Sequence, residues 1–514
     1  MNINVIESMK LFDTEDVMVV QDDGTLRIYP RAFLGRTDLT SIVIPEGVTE
    51  IGMYAFGNCT GLETVVIPEG VTALREYTFF GCTSLTNIVI PNSVTEIGGN
   101  AFNGCTSLTN IVIPDSVTEI GGNAFEGCTG LTSIVIPKDT TYIGRNAFSG
   151  CTSLTSIVIP EGVKELDYNT FLDCTNLTSV VIPQGVTTIE DRAFKGCVSL
   201  TNIVISDSVT EIGKEAFRGC TSLTNIVIPQ GVTYVRENVF RGCEALSRIM
   251  IPQGVEEIGD YAFYSCTALT SVVLSEDLKK IGENAFDGCT NLNSIVIPKG
   301  VEEMGDYAFC GCTGLSCVTL PEGVAKIGVS AFYRCESLIN IVIPEGVTEI
   351  GLSAFQYCTG LTSVVLPESL TKIGESAFFG CTNLTDIVIP EGVTVIDKNA
   401  FGNCTSLTSV VLSEGLKKID DAAFFGCTSL KSIVIPKGVT LIREAAFQNC
   451  SSLETITLPI GVKKIGGPCF KNCISLKTIY VPAKKVDYYK SLLDVELHSL
   501  IVEQEPEKKV KGKK

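Results

Sequence analysis

From residue 31 onward, apolar positions recur with a period that neither a lone helix nor a lone strand produces. Phe33, Phe56, Phe79 and Phe102 are each 23 residues apart, and the series runs unbroken to Phe470, which registers twenty coils. A Leu follows each of these Phe six residues later, from Leu39 to Leu476. Of the 24 Phe, only Phe12, Phe80, Phe379 and Phe425 stand off this ladder. A fixed period of this length predicts a solenoid, in which each unit buries its apolar faces against its neighbours.

The spacing inside one coil predicts its local structure. Phe, Cys and Leu recur at intervals of three, which sets them on one side of a short 3₁₀-like or irregular turn. The period then falls to two: Ile42 and Ile44 face inward while Ser41 and Val43 face outward, as in a short β-strand. Pro45 stops that strand because it lacks a ladder N–H. Glu46-Gly47 makes a turn, and a second short extended piece carries Val48 and Ile51 inward. The expected fold is a solenoid with one parallel β-sheet, short second strands, irregular turns and a short C-terminal helix.

A coil covers neither of its flat faces, so the ends need caps. Residues 1–30 read as an N-terminal cap containing a degenerate part-coil at Thr25–Pro30, and residues 31–482 as the solenoid. Residues 483–502 read as a helical cap with Val486, Leu492, Leu493 and Leu497 as contacts, and 503–514 as a disordered basic tail.

Composition narrows the function classes. The chain is 45% hydrophobic with a formal net charge of −19, no Trp and one His, His498. An acidic chain of this kind repels nucleic acid and anionic membrane surfaces, and no apolar run is long enough for membrane insertion. The N-terminus carries no visible signal peptide and the C-terminus no visible anchor, which reads as cytoplasmic.

Written out, the coil AFxGCTSLTSIVIPEGVTEIG resembles the BspA-like (Treponema-type) leucine-rich repeat family over residues 25–482. The closing LKTIYVPAKKVDYYKSLL is similar to the usual end of such arrays. The resemblance implies a parallel sheet on the concave side of the solenoid, and a surface or secreted protein that binds host matrix proteins or other cells. This sequence departs from that pattern in showing no export signal.

Twenty-two Cys call for an explanation. Nineteen follow a ladder Phe by three residues, from Cys59 to Cys473, and the first coil has Arg36 there. A period that matches the core predicts buried, free thiols. Off the ladder are Cys310, Cys317 and Cys469. A metal site at Cys310, Cys312 and Cys317 has no His and poor spacing; a reactive Cys310 is the stronger of two weak readings. Without a phosphate loop, a nucleophile elbow or a placed general base, the expectation is no enzyme, no cofactor and no metal.

Binding is therefore the leading function. The outward strand position before the central apolar residue is nearly always Ser, Asn or Thr, and the position after it is Val in sixteen coils. This uncharged stripe reads either as β-propensity with repeat duplication or as a contact face for a protein partner. Uniformity breaks between about 234 and 357. Arg236, Arg241, Arg248 and Met250 depart from the repeat there, and Tyr261, Tyr264, Tyr307 and Tyr333, with Tyr357, cluster there. Arg and Tyr dominate interface hot spots, which makes these the candidate partner-binding residues of a monomeric scaffold. Passive structural assembly is the alternative, and ice or carbohydrate binding by the Ser/Thr/Val stripe a third.

Overall fold

The structure is a computed structural model that describes residues 17–21 and 24–504. The expectations for residues 1–16, 22–23 and 505–514 lie outside the described residues. The described chain is a parallel β-solenoid with very little helix; the part-coil at Leu26–Ile28 adds one to the twenty coils counted on Phe. It divides into two compact units, one of residues 1–255 with 262–269, the other of 256–261 with 270–514.

Most coils contribute a main strand of about three residues and a second strand of about two, such as Asn110–Val112 and Glu119–Ile120, while Ser156 and Asn225 make single bridges in place of a main strand. Pairing is parallel, with partners one period apart: Asn110 faces Ser133 and Glu119 faces Tyr142 in the first unit. In the second unit Ser294 faces Cys317 and Glu349 faces Lys372. The period-two pattern is realised in burial, since the central residue is covered and its flanks are exposed in nearly all of the main strands.

The segment around the ladder Phe forms a third ladder of hydrogen bonds. Within the coil the turn runs i to i+3, with Cys82 N–H donating to Phe79 O (3.2 Å) and Leu85 N–H to Cys82 O (3.0 Å). Between coils, Tyr77, Phe79 and Gly81 donate to Gly99 O, Ala101 O and Asn103 O at 2.7–2.9 Å. This geometry needs left-handed backbone on both sides of the Phe. The residue two before it has φ near +55° in nineteen coils, from Arg31 to Ala445, and the residue two after it has positive φ in all twenty. Alternating left- and right-handed residues turn every second N–H toward the next coil. Each such N–H is therefore satisfied, as buried donors must be.

That requirement explains the composition of the later position. The later one is Gly in twelve coils and Asn, Asp or Ser in six more, the residues for which this conformation costs least. At the earlier one Asn recurs, and Asn123 and Asn146 each donate a side-chain hydrogen bond to the Asn one coil before, at 3.3 and 2.8 Å. In the turn after Pro, positive φ occurs at Gly47 (92°), Gly70 (124°), Gly254 (85°) and Gly346 (98°). The larger demand sits beside the Phe.

The core is a set of one-residue stacks. Ladder Phe rings lie nearly parallel with centroids 5.1–5.8 Å apart, an offset stack. Beside them the ladder thiols donate to the carbonyl of the Phe one coil earlier, for example Cys128 Sγ to Phe102 O at 3.1 Å. On the surface Thr hydroxyls follow the same rule, as in Thr178 Oγ1 to Thr155 O at 3.1 Å.

At the N-terminal side, Met18–Val20 pairs antiparallel with Leu26–Ile28, which continues in parallel to Val48–Ile51. At the other end, the helix spans only Val486–Lys490 and is followed by a 3₁₀ turn, Val495–Leu500. Ile501–Glu503 then adds a parallel strand to Thr478–Val481, so Glu503 is paired where the composition had suggested the start of a tail. Tyr488 and Tyr489 of the helix donate their hydroxyls to Val462 O and Pro459 O, which closes the turn side of the last coil.

Candidate binding surfaces

A coil of this build has three outward surfaces: the main sheet, the second-strand side, and the edge formed by residues flanking the ladder Phe. The main sheet face is apolar and nearly uncharged. Val112, Val135 and Val158 are 77, 75 and 76% exposed in the first unit, and Val296 is 67% exposed in the second. Arg248 and Met250 share the strand Arg248–Met250 and both point outward on this face, where other coils carry Ser or Asn and Val.

The second-strand side carries ion pairs between coils. Arg236 is here, with its guanidinium 2.6 Å from Glu211. Lys280 with Glu257 (3.0 Å) and Lys372 with Glu349 (2.8 Å) repeat the arrangement in the second unit. These are exposed pairs and contribute little to stability individually.

The Phe edge is where coils differ most. In the first unit, Glu215 accepts from Lys195, Arg192 and Arg218 at 2.7–3.1 Å. Although burial opposes ionisation, these three cations hold its carboxyl down to about 2. Arg241 lies over the Tyr264 ring, 4.8 Å from its centroid, and donates to Asn238 Oδ1 at 3.2 Å. In the second unit Tyr261 and Tyr307 occupy the left-handed position before the Phe (φ 57° and 59°), and Tyr333 follows its Phe directly.

The eight sequence candidates thus fall on three surfaces. Arg241 meets Tyr264, Arg248 and Met250 share a strand face, and Arg236 is engaged on the second-strand side. Residues that linear proximity left out join the edge in the second unit: Asp287, Arg334 and Phe379. Position within the period would have found them, since Asp287 and Phe379 directly follow a ladder Phe and Arg334 stands two residues after one.

Asp287 and Cys310 share a hydrogen bond, and burial governs both. It lifts the carboxyl to about 6 and, with help from the Asp287 charge, the thiol to about 12. A thiol displaced in that direction is a poor nucleophile at neutral pH. Among the described residues no group of His, Cys, Asp and Glu is arranged to hold a metal ion. Because the folded carboxyl binds its proton more tightly than the unfolded one, stability falls as pH rises from about 4 to about 6 and stays lowered above that. Asp287→Asn is therefore expected to raise the thermal midpoint at about pH 7.5 and to match the parent at about pH 4. Equal midpoints at both pH values would remove the strain assigned to this carboxylate.

This coil and its register define a leucine-rich-repeat solenoid of the parallel β class. The family model for the BspA type leucine rich repeat region matches residues 26–155, 141–270, 187–305, 256–385 and 371–491, and the chain belongs to that family. A search of curated proteins gave no match.

Among solved structures the chain is similar to a leucine-rich repeat protein from Bacteroides ovatus, with 27% identity over 95% of this chain and 99% of that one, at a TM-score of 0.48. It is similar to a leucine rich cell surface protein from Faecalibacterium prausnitzii, at 28% identity over 77% and 92% of the chains with a TM-score of 0.38. A leucine rich repeat protein of T. pallidum has 30% identity over 41% and 90%, with a TM-score of 0.32. No helix among the described residues is long and apolar enough to cross a membrane.

Proposed function

We propose that this protein is a non-enzymatic, adhesin-like scaffold that binds protein partners along the outward face of its main sheet. One observation carries this reading. Nine successive coils of the first unit, Val43 to Val227, present an exposed Val, each preceded two residues earlier by Ser, Thr or Asn. A row of exposed apolar side chains running unbroken over successive coils is the kind of surface that marks interaction sites. Repetition along the face adds avidity, so a weak contact made once per coil suffices. Membership of the BspA-type family supports a repeat-scaffold role.

The test is the triple variant Val112→Lys, Val135→Lys and Val158→Lys, checked for unchanged circular dichroism and assayed by surface plasmon resonance on immobilised matrix proteins. Loss of binding is expected, because three buried ammonium groups would each need a partner at the contact. Binding that survives in the triple variant sinks the sheet-face reading. A sedimentation mass that grows with concentration, and does so only in the parent, would assign the same face to self-assembly instead.

A further inference from the structure

The left-handed position two residues after the ladder Phe is filled by Gly, Asn, Asp or Ser in eighteen of the twenty coils. The two exceptions are Arg334 (φ 59°) and Tyr357 (φ 61°), and they stand in successive coils of the second unit. A bulky L residue in this conformation costs on the order of 1 kcal/mol. Two such residues in adjacent coils break the rule that the repeat otherwise keeps at this position.

Their surroundings suggest one. The Arg334 guanidinium lies 5.9 Å from the Tyr333 ring centre and 6.0 Å from that of Tyr357. Tyr333 and Tyr357 meet edge to face at 5.8 Å, and Tyr357 meets Phe379 likewise at 5.6 Å. Both rings flank the guanidinium while the residue stays exposed. Arg27, Arg36, Arg75, Arg192, Arg218, Arg236 and Arg443 each have a carboxylate partner, whereas Arg334, like Arg31, Arg145 and Arg248, has none among the described residues. A guanidinium flanked by two rings and without a carboxylate partner offers a donor fork matched to a carboxylate.

We propose that Tyr333, Arg334, Tyr357 and Phe379 form a docking site for an extended partner peptide carrying an Asp or Glu beside an apolar residue. The carboxylate takes the Arg334 fork, and the apolar side chain lies on the exposed faces of Tyr357 and Phe379. A carboxylate fits better than a phosphate group. From Asp287 to Phe425, the two residues following each ladder Phe include no second Lys or Arg to balance a dianion, and the chain is strongly acidic. The site is on the Phe edge, so it stands or falls separately from binding on the sheet face.

The repeat itself supplies the variants for the test. Arg334→Gly and Tyr357→Gly restore the residue most coils use at this position, so both are expected to keep or raise the thermal midpoint. The full chain is panned against a random peptide library displayed on phage, and an enriched peptide is synthesised with its acidic residue intact or as the amide. By calorimetry, Arg334→Gly is expected to weaken the acidic peptide about 10-fold or more. Arg334→Lys is expected to recover only part of this, and the amide peptide should be insensitive to Arg334→Gly. Enrichment without a shared acidic residue, or affinity indifferent to Arg334, overturns the proposal. So does a marked fall in midpoint for the two Gly variants, which would give these side chains a folding role.

Discussion

Replacing Phe125 by Ala is expected to lower the unfolding free energy by about 3–5 kcal/mol, among the largest losses any single substitution here can cause. The ring is fully buried and stacks on Phe102 at 5.3 Å and Phe148 at 5.5 Å, with interplanar angles of 6° and 1°. Truncation leaves a cavity one ring thick. Its floor and roof are the neighbouring rings, whose backbones are fixed by hydrogen bonds such as Phe125 N–H to Ala147 O at 2.8 Å. Collapse would require those bonds to shift, so the cavity term is retained rather than relaxed.

A solenoid also has only nearest-neighbour contacts, and a weakened coil interrupts coupling along the stack. Urea unfolding of Phe125→Ala should therefore show a lower midpoint together with a broadened or split transition. Phe425→Ala is the control: this ring follows its ladder Phe, is only partly buried, and should cost about 1 kcal/mol. A ladder variant no less stable than this control would mean that the Phe stack is not the source of cohesion.

How much of this was legible beforehand depends on what a period reports. Twenty-three residues fixed the coil, and alternation at Ser41, Ile42 and Val43 fixed which side chains point inward, because both are properties of position alone. The Cys ladder followed from the same logic. Backbone handedness beside the Phe was harder to see, since the earlier position holds Asn, Tyr, Ser, Ala, Arg and Glu in different coils, and that mixture hides a uniform φ. The Gly two residues after the Phe was the better signal, and Arg334 and Tyr357 become conspicuous only against it.

Surface assignment suffered from a related problem. Arg236, Arg241 and Arg248 are close along the chain but occupy three different surfaces, because each quarter of a coil turns the backbone to a new side. Conversely Tyr357 and Phe379 are 22 residues apart and touch. In a solenoid the useful neighbour is one period away. A cluster read along the chain mixes surfaces that never meet.

The second large effect concerns the thiols. In the native protein a thiol reagent at about pH 8 is expected to modify Cys317 quickly, Cys310 slowly, and the other twenty cysteines only after unfolding. All 22 are unpaired, but Cys317 alone is exposed on a strand face and Cys310 is half-buried beside Asp287. Mid-array ladder cysteines such as Cys220 and Cys427 combine three protections. Their sulfurs are buried, their S–H groups are directed at a Phe carbonyl one coil earlier, and burial pushes their ionisation up to about 12.

Relative to an ordinary thiol near 8.5, a value near 12 alone reduces the reactive thiolate on the order of a thousandfold. The requirement for local opening multiplies that suppression. Opening is easiest at an end, so Cys473, beside the cleft between Pro468–Ile474 and Asp494–Leu497, should be the first ladder thiol to follow. The same carbonyl-directed geometry opposes oxidation between coils. Stacked sulfurs that each donate to their own carbonyl would have to abandon a buried acceptor to form a bridge, at about 1–3 kcal/mol per acceptor left unpaired. Mass spectrometry after a timed alkylation pulse separates these classes directly. Rapid native labelling of several mid-array cysteines would show that the coils open far more readily than a ladder of stacked Phe and paired backbone permits.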